Sequence, residues 1–182
     1  MLTNVRKSIS PNIKNMQRII KTETFYVAPS HKLLDRIYEL GDVQERRTSV
    51  KATVTDWMVH CCSNDFDELI GQLYVLYPKH QVEELWGCTY QQGDFAQTHN
   101  HSGFDLSFVW FVDTCPHCSP LVFPDPEHPW MPPLRVFTPH RGNLHIFDGN
   151  DIHYVPPHTC NHDRVVMSGN LSLLNNEGLH YN

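Results

Sequence analysis

Residues 84–173 alternate short apolar and β-branched runs with turn signals, and this rhythm limits the fold more than any other feature of the chain. The runs 84–90, 95–101 and 106–112 are parted by Gly93 and Gly103, and runs at 143–147, 153–155 and 164–173 follow. Short strands of this kind bury their faces only against one another. They predict a mainly β fold (α+β overall), a sandwich or jelly roll. A Pro-rich stretch over 116–139 is expected to loop across a sheet edge.

Helices are expected ahead of the strands. Ser30 reads as an N-cap, with Leu33, Leu34, Ile37 and Leu40 at helical spacing and Gly41 as the stop. Ser63 or Asn64 caps a second helix over about 65–76, with Phe66, Leu69, Ile70 and Leu73 on one face, and Pro78 breaks it. Residues 25–27 and 53–59 read as further short strands. At 182 residues this is one domain. Residues 1–50 form an N-terminal extension carrying a helix, and 53–173 form the core.

Composition narrows the function. Hydrophobic residues at 40% are enough for a packed core, and 14 basic against 20 acidic residues leave a net charge of -6 with no basic stripe, which argues against a nucleic-acid binder. No run approaches the ~18 apolar residues of a membrane span, and the first residues lack the apolar centre of a signal peptide. A cytoplasmic protein is expected, and six cysteines there suggest reduced thiols or metal ligands. Histidine is abundant, with 13 copies.

Within Gly93-Asp94-Phe95-Ala96-Gln97-Thr98-His99-Asn100-His101, His99 and His101 stand two apart, so on a strand both reach one ion. The turn Asp148-Gly149-Asn150 between two strands brings His153 back beside them. Neutral imidazole suits iron, zinc, copper or nickel. Eleven residues after His153, Arg164 opens an otherwise apolar strand. A guanidinium there needs an anion, either a protein carboxylate or the carboxylate of a ligand held bidentately.

His-x-His, a distant His and an Arg about ten residues later on the last core strand resemble the iron(II)- and 2-oxoglutarate-dependent oxygenases. The likeness is nearest to a small oxygenase family of bacteria and tailed phages, and it runs from about Thr53 to Leu173. It is carried by Thr55-Asp56-Trp57, LWGCTYQQGDFAQTHNHS, the segments 107–112, 121–126 and 142–147, and the ending from His153 to Asn170. The resemblance implies a double-stranded β-helix and a dioxygenase, a hydroxylase that couples decarboxylation of 2-oxoglutarate to succinate with C–H oxidation. It implies Fe(II) on His99 and His153, and Arg164 on the far carboxylate of 2-oxoglutarate. Ser168 and Asn170 would line the same strand, with Tyr90 and Asn143 as weaker contacts. A phage member would work in its host's cytoplasm, and proteins of this fold often form homodimers.

Two positions depart from the family pattern. Where a carboxylate is usual, His101 stands, and Asp105 is the alternative ligand if the Ser102-Gly103 turn bends the chain. Where many relatives have Ser two residues after the Arg, this chain has Val166. The spacing from Gly93 through His99-x-His101 to Asp105, with Gly142 eleven before His153, also resembles the cupins. That resemblance implies the same fold and a three-His metalloenzyme without 2-oxoglutarate. A non-catalytic jelly-roll binding module is the reading from another class.

Trp86, Trp110, Phe108 and Phe147 are candidate pocket walls or plain core. Cys115-Pro116-His117-Cys118, with Cys160 and His162, is half of a Cys3His zinc pattern that would pin the Pro-rich loop. Cys61, Cys62 and Cys88 read as ordinary thiols, and His117, His128, His140, His158 and His180 receive no role.

Overall fold

A computed structural model describes residues 22–42 and 49–174 of the chain. Its elements are β1 (Thr22–Tyr26), α1 (His31–Leu40), β2 (Val50–Lys51), β3 (Thr53–Val54), α2 (Val59–Cys62), a 3-10 turn (Asn64–Phe66) and α3 (Asp67–Leu76). Then follow β4 (His80–Tyr90), β5 (Phe95–His99), β6 (Leu106–Asp113), β7 (Leu121–Phe123), β8 (Arg135–Phe137), β9 (Asn143–Asp148), β10 (His153–Val155) and β11 (Arg164–Leu173). The strands form two antiparallel sheets, ordered β1-β9-β6-β11-β4-β3 and β2-β5-β10-β7-β8. This is a jelly roll with helices before its long strands.

The long strands are covered on both faces, which explains their nearly continuous apolar sequence. Val165, Met167 and Leu171 of β11, with Leu85, Phe108, Trp110 and Val112, pack against Leu33, Ile37, Val59, Phe66, Leu69 and Leu73 of the helical layer. Val166, Trp86, Cys88, Tyr90, Val109 and Phe111 face the other sheet, where Ala96, Leu121, Phe123 and Val155 meet them. Between the pairs Asn170–Glu84 and Leu171–Val82 the ladder skips Glu83, a bulge in β4 that lets Val82 join Leu85 on the helical side.

The helices begin where their caps stand. The Ser30 hydroxyl accepts the Leu33 N–H at 3.2 Å, and Gly41 closes α1 by donating to Ile37. Ser63 caps the 3-10 turn that leads into α3.

Four expectations are corrected. The strand at 53–59 stops at Val54, because the Asp56 carboxylate accepts the Met58 N–H at 2.7 Å and bends the chain into α2, a helix not foreseen. The Pro-rich stretch is not all loop, since β7 and β8 pair within it at the sheet edge. Its prolines all fall outside those two strands, where a missing N–H costs no ladder bond. The first sheet gains β1, paired residue for residue with β9 from Thr22–Phe147 to Tyr26–Asn143, so part of the N-terminal segment belongs to the core. β5 ends at His99, leaving His101 on the turn beyond it. Among the described residues no helix is long and apolar enough to cross a membrane. The segment 1–21, the charged stretch 43–48 and His180 lie outside the described residues.

Candidate active site

The smaller sheet sets two histidines side by side. His99 ends β5 and His153 begins β10, and the two are register partners across that antiparallel pair. Their ring centres are 4.4 Å apart, and the His101 ring lies 5.2 Å from each. The nitrogens that could bind an ion all lie within 4.8 Å of one another.

The outer nitrogens of two rings are fixed by backbone carbonyls. His99 Nδ1 donates to the Gln97 carbonyl at 2.6 Å, and His153 Nδ1 donates to that of Asp151 at 2.9 Å. A carbonyl only accepts, so Nδ1 carries the proton and the Nε2 lone pair is free for a metal. Burial holds all three rings neutral. His153 falls to about 3 and His101 to about 4, by desolvation first and then by the nearby His99; the His99 pKa is lowered by desolvation. Neutral imidazole is the form that ligates.

His101 sits outside the ladder but is held firmly. Its N–H donates to the Gly149 carbonyl at 2.7 Å, and its own carbonyl accepts from Phe104. The Trp86 ring, itself 4.4 Å from that of Trp57, flanks it at 5.8 Å.

The three histidines open into a cavity between the sheets. Arg164, Tyr90, Cys88, Val166, Ser168, Trp86, Val109 and Leu121 line it with them. Arg164 is 1% exposed, and its Nε and Nη1 have no hydrogen-bond partner. Its guanidinium overlies the rings of Tyr90 at 4.8 Å and Phe111 at 5.1 Å. Among the described residues no carboxylate pairs with it. Desolvation draws its pKa down, while Tyr90 and the Cys88 and Cys118 thiols oppose that shift. Burial also pushes the Cys88 thiol up to about 12 and the Tyr90 hydroxyl far above its usual range, so both stay neutral beside the cation.

The structure therefore gathers His99, His101, His153, Arg164, Tyr90 and Ser168 around one cavity, and leaves three expected residues elsewhere. Asp105 is exposed, and its carboxylate accepts the Leu173 N–H at 2.8 Å, away from the histidines. Asn170 is fully buried in a separate network, accepting from Ser107 at 2.8 Å and donating to Glu84 at 2.6 Å. Asn143 is not among the cavity residues. Its strand neighbour two along, His145, turns inward instead, against Phe137 and Phe111, with Nδ1 at 2.9 Å from the Thr24 hydroxyl. Of the candidate walls, Trp86 and Phe108 line the cavity and Phe147 packs on His153 at 4.9 Å. Trp110 turns to the helical side, where its indole N–H donates to Val27.

Sequence reasoning placed Gly149 in the turn before His153 but missed its close packing on His101. A Cβ there would lie 2.3 Å from the Phe104 carbonyl oxygen and 3.0 Å from that of His101, so only glycine fits. It also passed over His158, which is buried and ties Ser119 to the carbonyl of His162.

The cysteines form a second group. Cys115 Sγ lies 3.6 Å from Cys118 Sγ and 3.5 Å from Cys160 Sγ. The His162 ring is not part of it and faces the Asp113 carboxylate at 3.5 Å.

No family model matches the sequence, and no curated protein matches it. Solved structures share its fold. A prolyl-4-hydroxylase from Pseudomonas putida is 16% identical with a TM-score of 0.60, over 85% of this chain and 94% of its own. HygX from Streptomyces hygroscopicus, solved with nickel and 2-oxoglutarate, is 9% identical with a TM-score of 0.62, over 85% and 84%. A viral collagen prolyl hydroxylase from Paramecium Bursaria Chlorella virus-1, as its 2-oxoglutarate complex, is 11% identical with a TM-score of 0.55, over 84% and 96%. The chain thus has the fold of the 2-oxoglutarate-dependent iron oxygenases.

Proposed function

We propose that the protein is an Fe(II)- and 2-oxoglutarate-dependent oxygenase acting as a hydroxylase. The observation that carries this reading is Arg164. It is a buried guanidinium with unpaired donors and, among the described residues, no carboxylate partner, in the cavity that the three histidines line. Burying such a charge alone is costly, so the donors await an anion that arrives with a ligand. A dicarboxylate with one end at the histidines and the other on Arg164 meets that need. A three-His metalloenzyme working without 2-oxoglutarate leaves the guanidinium unexplained.

The donor set fits the metal. His99, His101 and His153 offer three neutral nitrogens on one side, the arrangement that leaves room for cosubstrate and oxygen on ferrous iron. Iron with 2-oxoglutarate supplies the oxidising chemistry, consuming O2 and releasing succinate and CO2. The protein's part is placement. Gln97 and Asp151 hold two imidazoles in the ligating tautomer, and the Gly149 carbonyl anchors the backbone of the third histidine. Arg164 and Tyr90 orient the distal carboxylate, with Ser168 on the same strand face, while Val166, Val109 and Leu121 keep the cavity dry.

Anaerobic titration of Fe(II) and 2-oxoglutarate into metal-free protein tests the reading. The expected result is the visible charge-transfer band of the chelate in the wild type and its loss in Arg164→Ala. Bound iron without that band at saturating 2-oxoglutarate overturns it.

A further inference from the structure

We infer that Cys115, Cys118 and Cys160 form a second metal site, a three-thiolate centre for a zinc-like divalent ion. Three sulfurs, not two, converge: Cys115 stands 3.6 Å from Cys118 and 3.5 Å from Cys160, and all three lie within 4.8 Å of one another. A tetrahedral ion with Zn–S bonds of about 2.3 Å sets its sulfurs roughly 3.8 Å apart, close to two of the cluster's three edges. All six cysteines are free thiols.

Backbone N–H groups face two of the three sulfurs, and Cys118 Sγ also lies 3.5 Å from the His162 carbonyl. The Cys115 N–H donates to Cys118 Sγ at 3.4 Å, within the tight Cys-Pro-His-Cys turn. The His162 N–H donates to Cys160 Sγ, also at 3.4 Å. Such outer N–H donors are what orient and steady metal thiolates. Three protein ligands with a water in the fourth position is a coordination zinc takes readily. The side chain first expected there, His162, faces Asp113 instead.

The site joins distant parts of the chain. Cys115 and Cys160 are 45 residues apart in sequence, one on the connection after β6 and one on that before β11. An ion there would clamp the two connections together, next to the strand that opens with Arg164. Zinc with three thiolates carries one net negative charge, and Cys118 is among the groups whose charge acts on that guanidinium.

Titration of metal-free, fully reduced protein with Co2+ tests this, because only sulfur ligation gives an intense thiolate-to-cobalt band in the near ultraviolet. The band is expected in the wild type and in His99→Ala, and its loss in Cys115→Ser and Cys160→Ser, both at half-buried positions. If those variants do not fold, wild-type alkylation decides. Zn2+ should shield Cys115, Cys118 and Cys160 until a chelator is added, while the exposed Cys61 and Cys62 react throughout. Cobalt bound without the sulfur band, absence of shielding by Zn2+, or a disulfide within the trio in protein purified without reductant would each overturn the inference.

Discussion

The His101 N–H donates to the Gly149 carbonyl at 2.7 Å, so the turn between β9 and β10 fixes the chain at His101, just beyond β5. A methyl group at Gly149 would drive into the Phe104 and His101 carbonyls. Gly149→Ala is therefore expected to lower stability by about 1–3 kcal/mol, the usual cost of overpacking, and to weaken Fe(II) binding as His101→Ala does. Thermal unfolding and a ferrous titration check both. Unchanged iron affinity would mean that the turn does not position His101.

Arg164 separates stability from function. Replacing it by Met keeps much of the volume and removes a buried charge that lacks a carboxylate partner. Folding should be unchanged or improved in urea denaturation. Affinity for 2-oxoglutarate should fall about 30- to 150-fold, as expected when a charged hydrogen-bonding partner worth ~2–3 kcal/mol is lost. Iron affinity alone should hardly move.

Trp86 gives the site an optical reporter. Its ring is 5.8 Å from that of His101, close enough for a bound transition-metal ion to quench its emission. Co2+ should dim tryptophan fluorescence in the wild type, and Trp86→Phe should abolish most of that response although three tryptophans remain, given four in the chain. A full response in Trp86→Phe would place the ion elsewhere.

His145 makes the fold sensitive to acid. Desolvation first, and then the charge of His140, hold its pKa at about 4, against 6.5 for an unburied histidine. Below 6.5 the unfolded chain takes up a proton that the folded chain refuses until about 4, so stability drops as pH falls through that window. From pH 7 to pH 5 this one group should cost about 2 kcal/mol. Urea unfolding at the two pH values should show a correspondingly smaller loss in His145→Gln, and equal losses would sink the assignment.

What could be read from residue order was whatever depends on local period and punctuation. The strand runs, the Ser30 cap and the pairing of His99 with a distant His153 all follow from side-chain alternation and glycine turns. β7 and β8 were hidden, because prolines on either side of Leu121–Phe123 and Arg135–Phe137 signal loop more strongly than three apolar residues signal strand. The choice between His101 and Asp105 rested on how the turn after β5 bends, which spacing does not state. Asn143 was expected inside and His145 was not, since both share one face of β9 and only tertiary packing decides which side chain reaches inward. The third cysteine joined its pair, while the His162 ring turned to Asp113, an electrostatic preference that no motif encodes.

β10 opens on His153 and β11 on Arg164, and the connection between them carries Cys160. One short stretch thus bears a member of the histidine trio, a member of the sulfur trio and the buried guanidinium. Its length acts as a gauge block. A single-residue deletion in the connection would alter no strand, yet it would throw imidazole, thiol and guanidinium out of mutual alignment together. Outside His158 and Cys160 this connection should accept substitutions freely, and changes in length hardly at all.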